Sequence, residues 1–203
     1  MAQRGFSLIE VIVTIAILAI LIALAAPSFT SIINANRLSS VSNEFLATAE
    51  SARIEAVRRN ARVVICKSIN ADTSSPTCNA TAGNWAGWLA YVDDGGGTPA
   101  NARNNLLNTG EDIVRVNTIP APVVVQVSPS ISGTQILVFR SDGLSRAAGG
   151  GLLEARVQAC IVTTTPAMNA RVLRIRSGSR MSVTQSNGGG SCTAPPNPLI
   201  TDP

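Results

Sequence analysis

The chain has 203 residues, a net charge of +4 and no histidine. The lack of histidine excludes a mixed Cys/His zinc site, and the sequence contains neither a Gly-x-Ser-x-Gly elbow nor a phosphate-binding glycine-rich loop. Asp93, Asp94 and Asn101 offer oxygen ligands for calcium, but their spacing fits no EF-hand and turn chemistry alone explains them. Composition and motifs therefore argue against an enzyme and predict no catalytic residue, metal or cofactor.

The first predicted element is an apolar segment of 21 residues from Phe6 to Ala26. As a helix it would be about 31 Å long, enough to cross a bilayer core of about 30 Å. Glu10 lies inside it, and because a carboxylate in hydrocarbon costs roughly 2.5 kcal/mol or more, we expect it to need a partner. The alternative is a signal peptide removed after Leu24-Ala25-Ala26. Only Arg4 precedes the segment as a basic residue, and the acid lies within it, which favours a retained anchor.

The helical pattern continues past Pro27, where we expect a bend. Apolar residues recur at steps of mostly three and four, and no glycine occurs between Phe6 and Ala61, so one helix of about 80 Å ending near Asn60 is predicted. Beyond Leu38 the stripe is apolar on one face only, and the rest of the chain is the nearest candidate to cover it. The members of the stripe are Phe29, Ile32, Ile33, Leu38, Val41, Phe45, Ala49, Ala52 and Ala56.

From residue 61 the composition changes to that of one β domain. Its short β-branched runs are bounded by Gly, Pro, Asn and Asp, which is typical of antiparallel strands. Gly178-Ser179 is predicted to turn the last two strands into a hairpin, and long loops are expected at 72–84 and 93–110. The predicted strands are 62–66, 88–92, 113–116, 123–127, 135–139, 155–162, 171–176 and 180–183.

The junction Gly5-Phe6-Ser7-Leu8-Ile9-Glu10 closely resembles the class III leader of type IV prepilins. The resemblance implies that residues 1–5 are a leader removed after Gly5 by a prepilin peptidase, and that Phe6 becomes an N-methylated first residue. It also implies that Glu10 pairs with the freed amino terminus of a neighbouring subunit, so that neither charge is left alone in an apolar bundle. Pro27 stands where many pilins have a helix-kinking proline.

Three later blocks are similar to the GspH/FimT family of pseudopilins and minor pilins. Residues 85–93 fit its W-x-x-G-W-x-x-F/Y-x-D block, 53–60 resemble its helix end, and 139–143 resemble a later strand and turn. The resemblance implies an α+β, type IV pilin-like fold in which a long N-terminal helix packs on a C-terminal antiparallel β-sheet domain.

Four cysteines lie in the part that a single N-terminal anchor would place across the membrane. Their spacing fits no zinc pattern, so disulfides are predicted. Of the three connectivities we favour Cys66–Cys78, closing the first long loop, and Cys160–Cys192, tying the tail to a strand. The first is worth roughly 3 kcal/mol in the chain-entropy model. Unpaired buried thiols are the alternative.

Positive charge is concentrated between Arg140 and Arg180, where seven arginines face only two acids. Strand alternation places Arg174 and Arg176 on one face, where they could hold phosphates with Arg171 and Arg180. Some FimT-type minor pilins that serve transformation bind DNA through a Gly-Arg-x-Arg element. The matching stretch 179–182 reads Ser-Arg-Met-Ser, so only Arg180 carries over. A solvated strand edge is the alternative.

The sequence therefore predicts a minor pilin that helps initiate or cap a type IV pilus. The alternatives are a DNA-binding minor pilin for transformation and a minor pseudopilin of a type II secretion system. Expected partners are other pilins, the prepilin peptidase, the inner membrane and, under the second reading, DNA bound without sequence specificity. The predicted segments are a leader at 1–5, a filament-core helix at 6–27, an amphipathic helix at 28–60 and a periplasmic β domain at 61–203, which later reaches the cell surface in the pilus.

Overall fold

The structure, a computed structural model, describes residues 5–147 and 150–199, without the side chains of 24–27. Most of the predicted leader, the side chain of Pro27 and its expected bend therefore lie outside the described residues. The elements in chain order are α1 (Leu8–Arg59), β1 (Arg62–Ser68), β2 (Gly87–Asp93), a 3-10 turn (Pro99–Asn101), β3 (Ile113–Thr118), β4 (Val124–Val127), α2 (Pro129–Ser132), β5 (Ile136–Phe139), β6 (Ala155–Cys160), β7 (Ala170–Arg176) and β8 (Arg180–Ser186).

α1 is one continuous helix of 52 residues, and the predicted end near Asn60 is confirmed. Ser7 caps its first turn, and Asn60 ends it in the left-handed conformation, with φ 50° and ψ 36°, while its N–H donates to the carbonyls of Ala56 and Val57. Asparagine tolerates this conformation better than most residues do, so it can end the helix here and let the chain turn directly into β1.

The eight strands form two antiparallel sheets of four strands each, within the described residues. Sheet A has the order β3-β2-β1-β5 and sheet B has the order β4-β6-β7-β8. All eight predicted strands are present, and the predicted α+β architecture is confirmed. The last hairpin differs in its turn: the residues with positive φ are Ser177 and Gly178, not Gly178 and Ser179. Arg176 pairs with Arg180, so three residues connect the strands instead of two.

The core lies where α1 meets both sheets. The helical stripe is buried from Leu38 to Ala56, whereas its first members, Phe29 to Ile33, remain exposed. Phe45 packs between two tryptophans, with ring centroids 6.0 Å from Trp85 and 5.1 Å from Trp88. The β domain therefore covers only the C-terminal part of the stripe. A smaller apolar cluster on the other face of sheet A comprises Val64, Cys66, Leu89 and Tyr91.

Candidate functional site

The N-terminal turn of α1 carries the residues that the prepilin resemblance singles out. The Ser7 side chain accepts a hydrogen bond from the Glu10 N–H at 3.3 Å, so Ser7 and Glu10 stand at the two ends of a Ser-x-x-Glu capping sequence. Among the residues that the structure describes, none forms a hydrogen bond or ion pair with the Glu10 carboxylate. Glu10 and Phe6 are both exposed, so the carboxylate and the new first residue expected after cleavage can be reached by another chain.

The N-terminal half of α1 is long and apolar enough to cross a membrane, with an 18-residue window of mean hydropathy 3.0, no part of which is buried by the residues that the structure describes. Its large apolar side chains from Leu8 to Ile22 are all exposed. Exposure of this apolar surface to water would cost a free energy of roughly 25 cal/mol per Å². A bilayer or a bundle of similar helices must therefore cover it.

A buried threonine makes polar contacts between α1 and sheet A. Thr48 is fully buried; its hydroxyl donates to the Glu44 carbonyl at 2.8 Å and accepts the indole N–H of Trp88 at 3.1 Å. The other indole N–H, from Trp85, donates to Gln135 Oε1 at 2.7 Å. Both tryptophans are thus satisfied without water, and one of them fixes the register of the helix on the sheet.

The glycine and aspartate of the 85–93 block have structural roles. A Cβ on Gly87 would lie 2.6 Å from Ala71 Cβ and 2.6 Å from the Asn117 carbonyl oxygen, so only glycine fits there. Asp93 is buried, and its carboxylate accepts the N–H groups of Asn104 at 3.2 Å and Asn105 at 2.9 Å. The block therefore closes the domain core and anchors the long loop after β2.

The structure contains the two disulfides Cys66–Cys78 and Cys160–Cys192, the pairs favoured from the sequence. The first attaches the loop after β1 to the outer face of sheet A. The second attaches the tail to β6 across 32 residues, a closure worth about 4 kcal/mol in the chain-entropy model.

The four candidate arginines do not form one surface. Arg174, Arg176 and Arg180 lie on the outer face of sheet B, away from α1. Arg171 lies on the opposite face, with Leu173 and Ile175, because side chains alternate along a strand. It is only 7% exposed and donates to the carbonyls of Met168 at 3.0 Å and Ala170 at 3.1 Å, and burial lowers its pKa. The structure thus separates Arg171 from the other three.

The outer face of sheet B carries a fourth arginine that the sequence analysis did not identify as a candidate. Arg156 stands directly opposite Arg174 in the β6–β7 register. The alternation of Arg156 and Gln158 with apolar neighbours in β6 is the signal that could have identified it. We call Arg156, Arg174, Arg176 and Arg180 the outer arginine face.

The C-terminal tail crosses the outer arginine face. Arg156 donates to the Pro196 carbonyl at 3.4 Å, and Arg176 donates to the Leu199 carbonyl at 3.3 Å. Gln158 adds a bond to the Thr193 carbonyl at 3.0 Å. Backbone oxygens of the tail therefore occupy positions where an anion would contact the guanidinium groups. The sequence predicted that Cys160–Cys192 ties the tail to a strand, but not that the tail lies across these arginines.

Comparison with known families decides the identity of the chain. A family model described as Type II transport protein GspH matches residues 41–189. The chain belongs to the GspH family. A second model, the prokaryotic N-terminal methylation motif, matches residues 1–26 and covers the predicted leader junction. The resemblance noted in the sequence is thereby confirmed, and the chain is of the type IV minor pilin and pseudopilin class, whose members are structural subunits. No curated protein matches the chain.

Two solved structures are similar to this GspH family member, both crystal structures of the type IV minor pilin FimU of Pseudomonas aeruginosa. In space group P21 the TM-score is 0.47 at 19% identity, covering 73% of this chain and 89% of that chain. In space group P65 the TM-score is 0.46 at 18% identity, covering 72% and 92%. The assignment to the GspH family rests on the sequence matches.

A buried carboxylate in the region matched by the GspH model was not predicted from the sequence. Glu111 is nearly buried, and its two carboxylate oxygens accept the N–H groups of Gly95 at 3.0 Å and Asn108 at 2.8 Å. With Asp93 it folds the loop between β2 and β3 around two carboxylates. An acid in a polar loop gives no periodic signal, so only its buried position shows this role.

Proposed function

We propose that this protein is a minor pilin, anchored in the inner membrane by α1, which helps initiate or cap a type IV pilus. The observation that carries the proposal is the division of α1. Its C-terminal part packs on the β domain, while the apolar part from Leu8 to Ile22 is left uncovered by residues 5–147 and 150–199. A prepilin peptidase cuts after Gly5, the β domain faces the periplasm, and in the filament the exposed half packs among equivalent helices of other pilins.

Glu10 is the residue on which assembly depends in this proposal. Its carboxylate is exposed near the start of the helix, one turn from Phe6, and the amine created by cleavage belongs to that residue. An amine from a neighbouring subunit would neutralise the carboxylate in the apolar bundle, whereas an unpaired charge there costs several kcal/mol. Removal of the carboxylate should therefore impair assembly and leave folding of the β domain intact.

The test compares Glu10→Ala with Glu50→Ala, which removes the same group from the same helix outside the apolar segment. We expect Glu10→Ala to reduce incorporation into sheared filaments at least tenfold, with unchanged membrane levels, and Glu50→Ala to incorporate normally. Mass spectrometry of the native protein should find N-methylated Phe6 as its first residue. Normal incorporation of Glu10→Ala, or a mature chain beginning near Ser28, would refute the proposal.

A minor pseudopilin of a type II secretion system is the second candidate, and the description of the matching family favours it. Both systems assemble their subunits through the same packing of N-terminal helices, so the deletion phenotype is the observation that distinguishes them. Loss of surface pili with normal export of secreted enzymes supports the pilus. The opposite result supports secretion.

DNA binding during transformation is a third candidate, supported by the shared outward face of Arg174, Arg176 and Arg180. Because the tail already contacts this face, we expect weak binding that falls steeply with salt and is indifferent to sequence. A gel-shift salt series on the triple Arg→Gln variant tests it, with Arg115→Gln on β3 as control. Retention of DNA by the triple variant would exclude this role for the arginines.

A further inference from the structure

Strand β5 has an open edge. In sheet A it pairs with β1 on one side only, from Cys66 opposite Ile136 to Val63 opposite Phe139. On its other side, within the part of the chain that the structure describes, the strand pairing is limited to an isolated bridge between Phe139 and Ser145. The beginning of the strand therefore presents backbone groups that another strand can pair with.

A groove of about 400 Å³ runs along this edge. Ile136, Leu137 and Val138 all line it. Since successive side chains of a strand point to opposite faces, three consecutive residues can line one groove only if the backbone edge itself forms the wall. Ala147 and Leu153 contribute apolar surface to the groove. Its volume is sufficient for a few residues of an extended chain.

The groove leads into an arginine pocket of about 290 Å³, which shares Arg62 and Arg140 with it. Arg103 also lines the pocket, and the Arg62 guanidinium donates to the Arg103 carbonyl at 3.1 Å, which holds the two segments together. The acid of the pocket is Asp142, which accepts the Leu144 N–H at 2.9 Å and pairs with Arg146 at 3.0 Å. These contacts lower the pKa of Asp142, the Leu144 N–H contributing most, so the carboxylate stays charged. Its oxygens are already bonded to residues of the same turn. Three arginines and one aspartate thus line the pocket, which gives it a net positive charge.

We propose that the β5 edge and the arginine pocket together form a docking site for an extended segment of another protein subunit that carries a carboxylate. The segment adds a strand to sheet A through backbone hydrogen bonds, and its acid enters the pocket formed by Arg62, Arg103 and Arg140. Backbone pairing supplies affinity in this mode of recognition, and the side-chain pocket supplies specificity. Carboxylates suit arginine because the guanidinium can bind both oxygens.

The location favours a neighbouring subunit as the occupant, an assignment that rests on the proposed filament function. The pocket is lined by Asn60 and Ala61, at the end of α1 opposite to the apolar segment. A helix of 52 residues separates the two ends by about 78 Å. The site therefore lies at the end of the subunit farthest from the membrane, where the next subunit of a filament would be within reach.

The experiment uses the full chain in lipid nanodiscs and a yeast-displayed library of random 12-residue peptides. The library is sorted on the wild-type protein, on the double variant Arg103→Gln/Arg140→Gln, and on Arg115→Gln, which removes an exposed arginine from β3 at the far edge of sheet A. The most enriched peptide is synthesised with its acid intact and with the acid replaced by its amide. Amide hydrogen exchange then locates the bound peptide, and inorganic phosphate is added as a competitor.

We expect wild type and Arg115→Gln to enrich peptides with alternating β-branched residues and an acid near one end. The double variant should bind the synthetic peptide more weakly by on the order of tenfold per arginine, as should wild type with the amide version. Exchange should slow at Ile136 and Val138. The proposal is overturned if no peptide is enriched, if the double variant enriches the same peptides equally, or if protection falls on another strand. The proposal would also be overturned if the bound peptide leaves β5 unprotected and phosphate displaces it completely. The pocket would then be a simple anion site. Peptide binding needs no filament, so its failure and the failure of Glu10-dependent assembly are separate results.

Discussion

The buried hydrogen bond between Thr48 and Trp88 gives the most stringent test of how α1 is fixed to the β domain. The change is Thr48→Val, which keeps the shape of the side chain and removes its hydroxyl. Thr48 and Trp88 are both fully buried, so the indole N–H left behind has no access to solvent. An unsatisfied buried donor costs about 1–3 kcal/mol.

We therefore expect Thr48→Val to lower the free energy of unfolding by about 2 kcal/mol, which corresponds to a fall in Tm of about 4–8 °C for a chain of this size. The lost bond to the Glu44 carbonyl should contribute little, since that carbonyl can keep its partner in the α-helical ladder. Trp88→Phe should cost at least as much, because it removes the donor and also leaves a cavity beside Phe45.

The assay is a double-mutant cycle on the full chain in detergent, with urea unfolding followed by far-ultraviolet circular dichroism. In the Trp88→Phe background Thr48→Val should be nearly neutral, since donor and acceptor are then both absent, which gives a coupling energy of at least about 1 kcal/mol. An equal cost of Thr48→Val in both backgrounds would show that packing, not the hydrogen bond, fixes the helix.

Three further predictions follow from buried positions in sheet A. Gly87→Ala should destabilise the chain by more than about 2 kcal/mol in urea unfolding, because its Cβ would meet the Asn117 carbonyl at 2.6 Å, whereas Gly133→Ala, with no atom within 4 Å of its Cβ, should be nearly neutral. Burial raises the pKa of Tyr91 far above its ordinary value of 10.0, so the folded state keeps a proton that the unfolded chain loses. The contribution of Tyr91 to stability should therefore be constant below about pH 10 and fall above it by up to about 1.4 kcal/mol per pH unit. Tyr91→Phe should remove that part of the fall, and an unchanged alkaline slope would contradict it. Asp93→Ala removes the acceptor of two loop N–H groups and should speed limited proteolysis between residues 94 and 112, and an unaltered cleavage rate would contradict this role.

The elements of the fold were predictable because each has a local periodic signal. The absence of glycine and the three- and four-residue steps from Leu38 to Ala56 predicted a long helix with one buried stripe. The β-branched runs predicted eight strands. Their partition into two sheets was not predictable, since β1 pairs with β5 across about seventy residues and no local pattern encodes such a pairing. The role of Glu111 was missed because an acid in a polar loop gives no periodic signal.

Site residues that belong to a linear sequence motif could be predicted from the sequence. Those whose role depends on neighbours in the folded structure were harder to predict. The prepilin-like junction at Phe6 and Glu10 is a linear motif, and the second family match covers it. The arginines need strand parity: the alternation that places Arg174 and Arg176 together also places Arg171 on the other face. The position of the tail over Arg156 depends on long-range contacts, which the sequence alone does not reveal.

The disulfide between Cys160 and Cys192 favours the tail over a free anion in binding to the outer arginine face. Because the link is covalent, the segment that follows it stays close to Arg156 and Arg176 even when its hydrogen bonds break. Short tethers of this kind correspond to local concentrations in the millimolar range, and dilution of the protein does not reduce them. A soluble polyanion would therefore compete with a segment that stays next to these arginines. Reduction of the disulfide would leave the tail held only through the backbone after β8, a looser tether that lowers its local concentration.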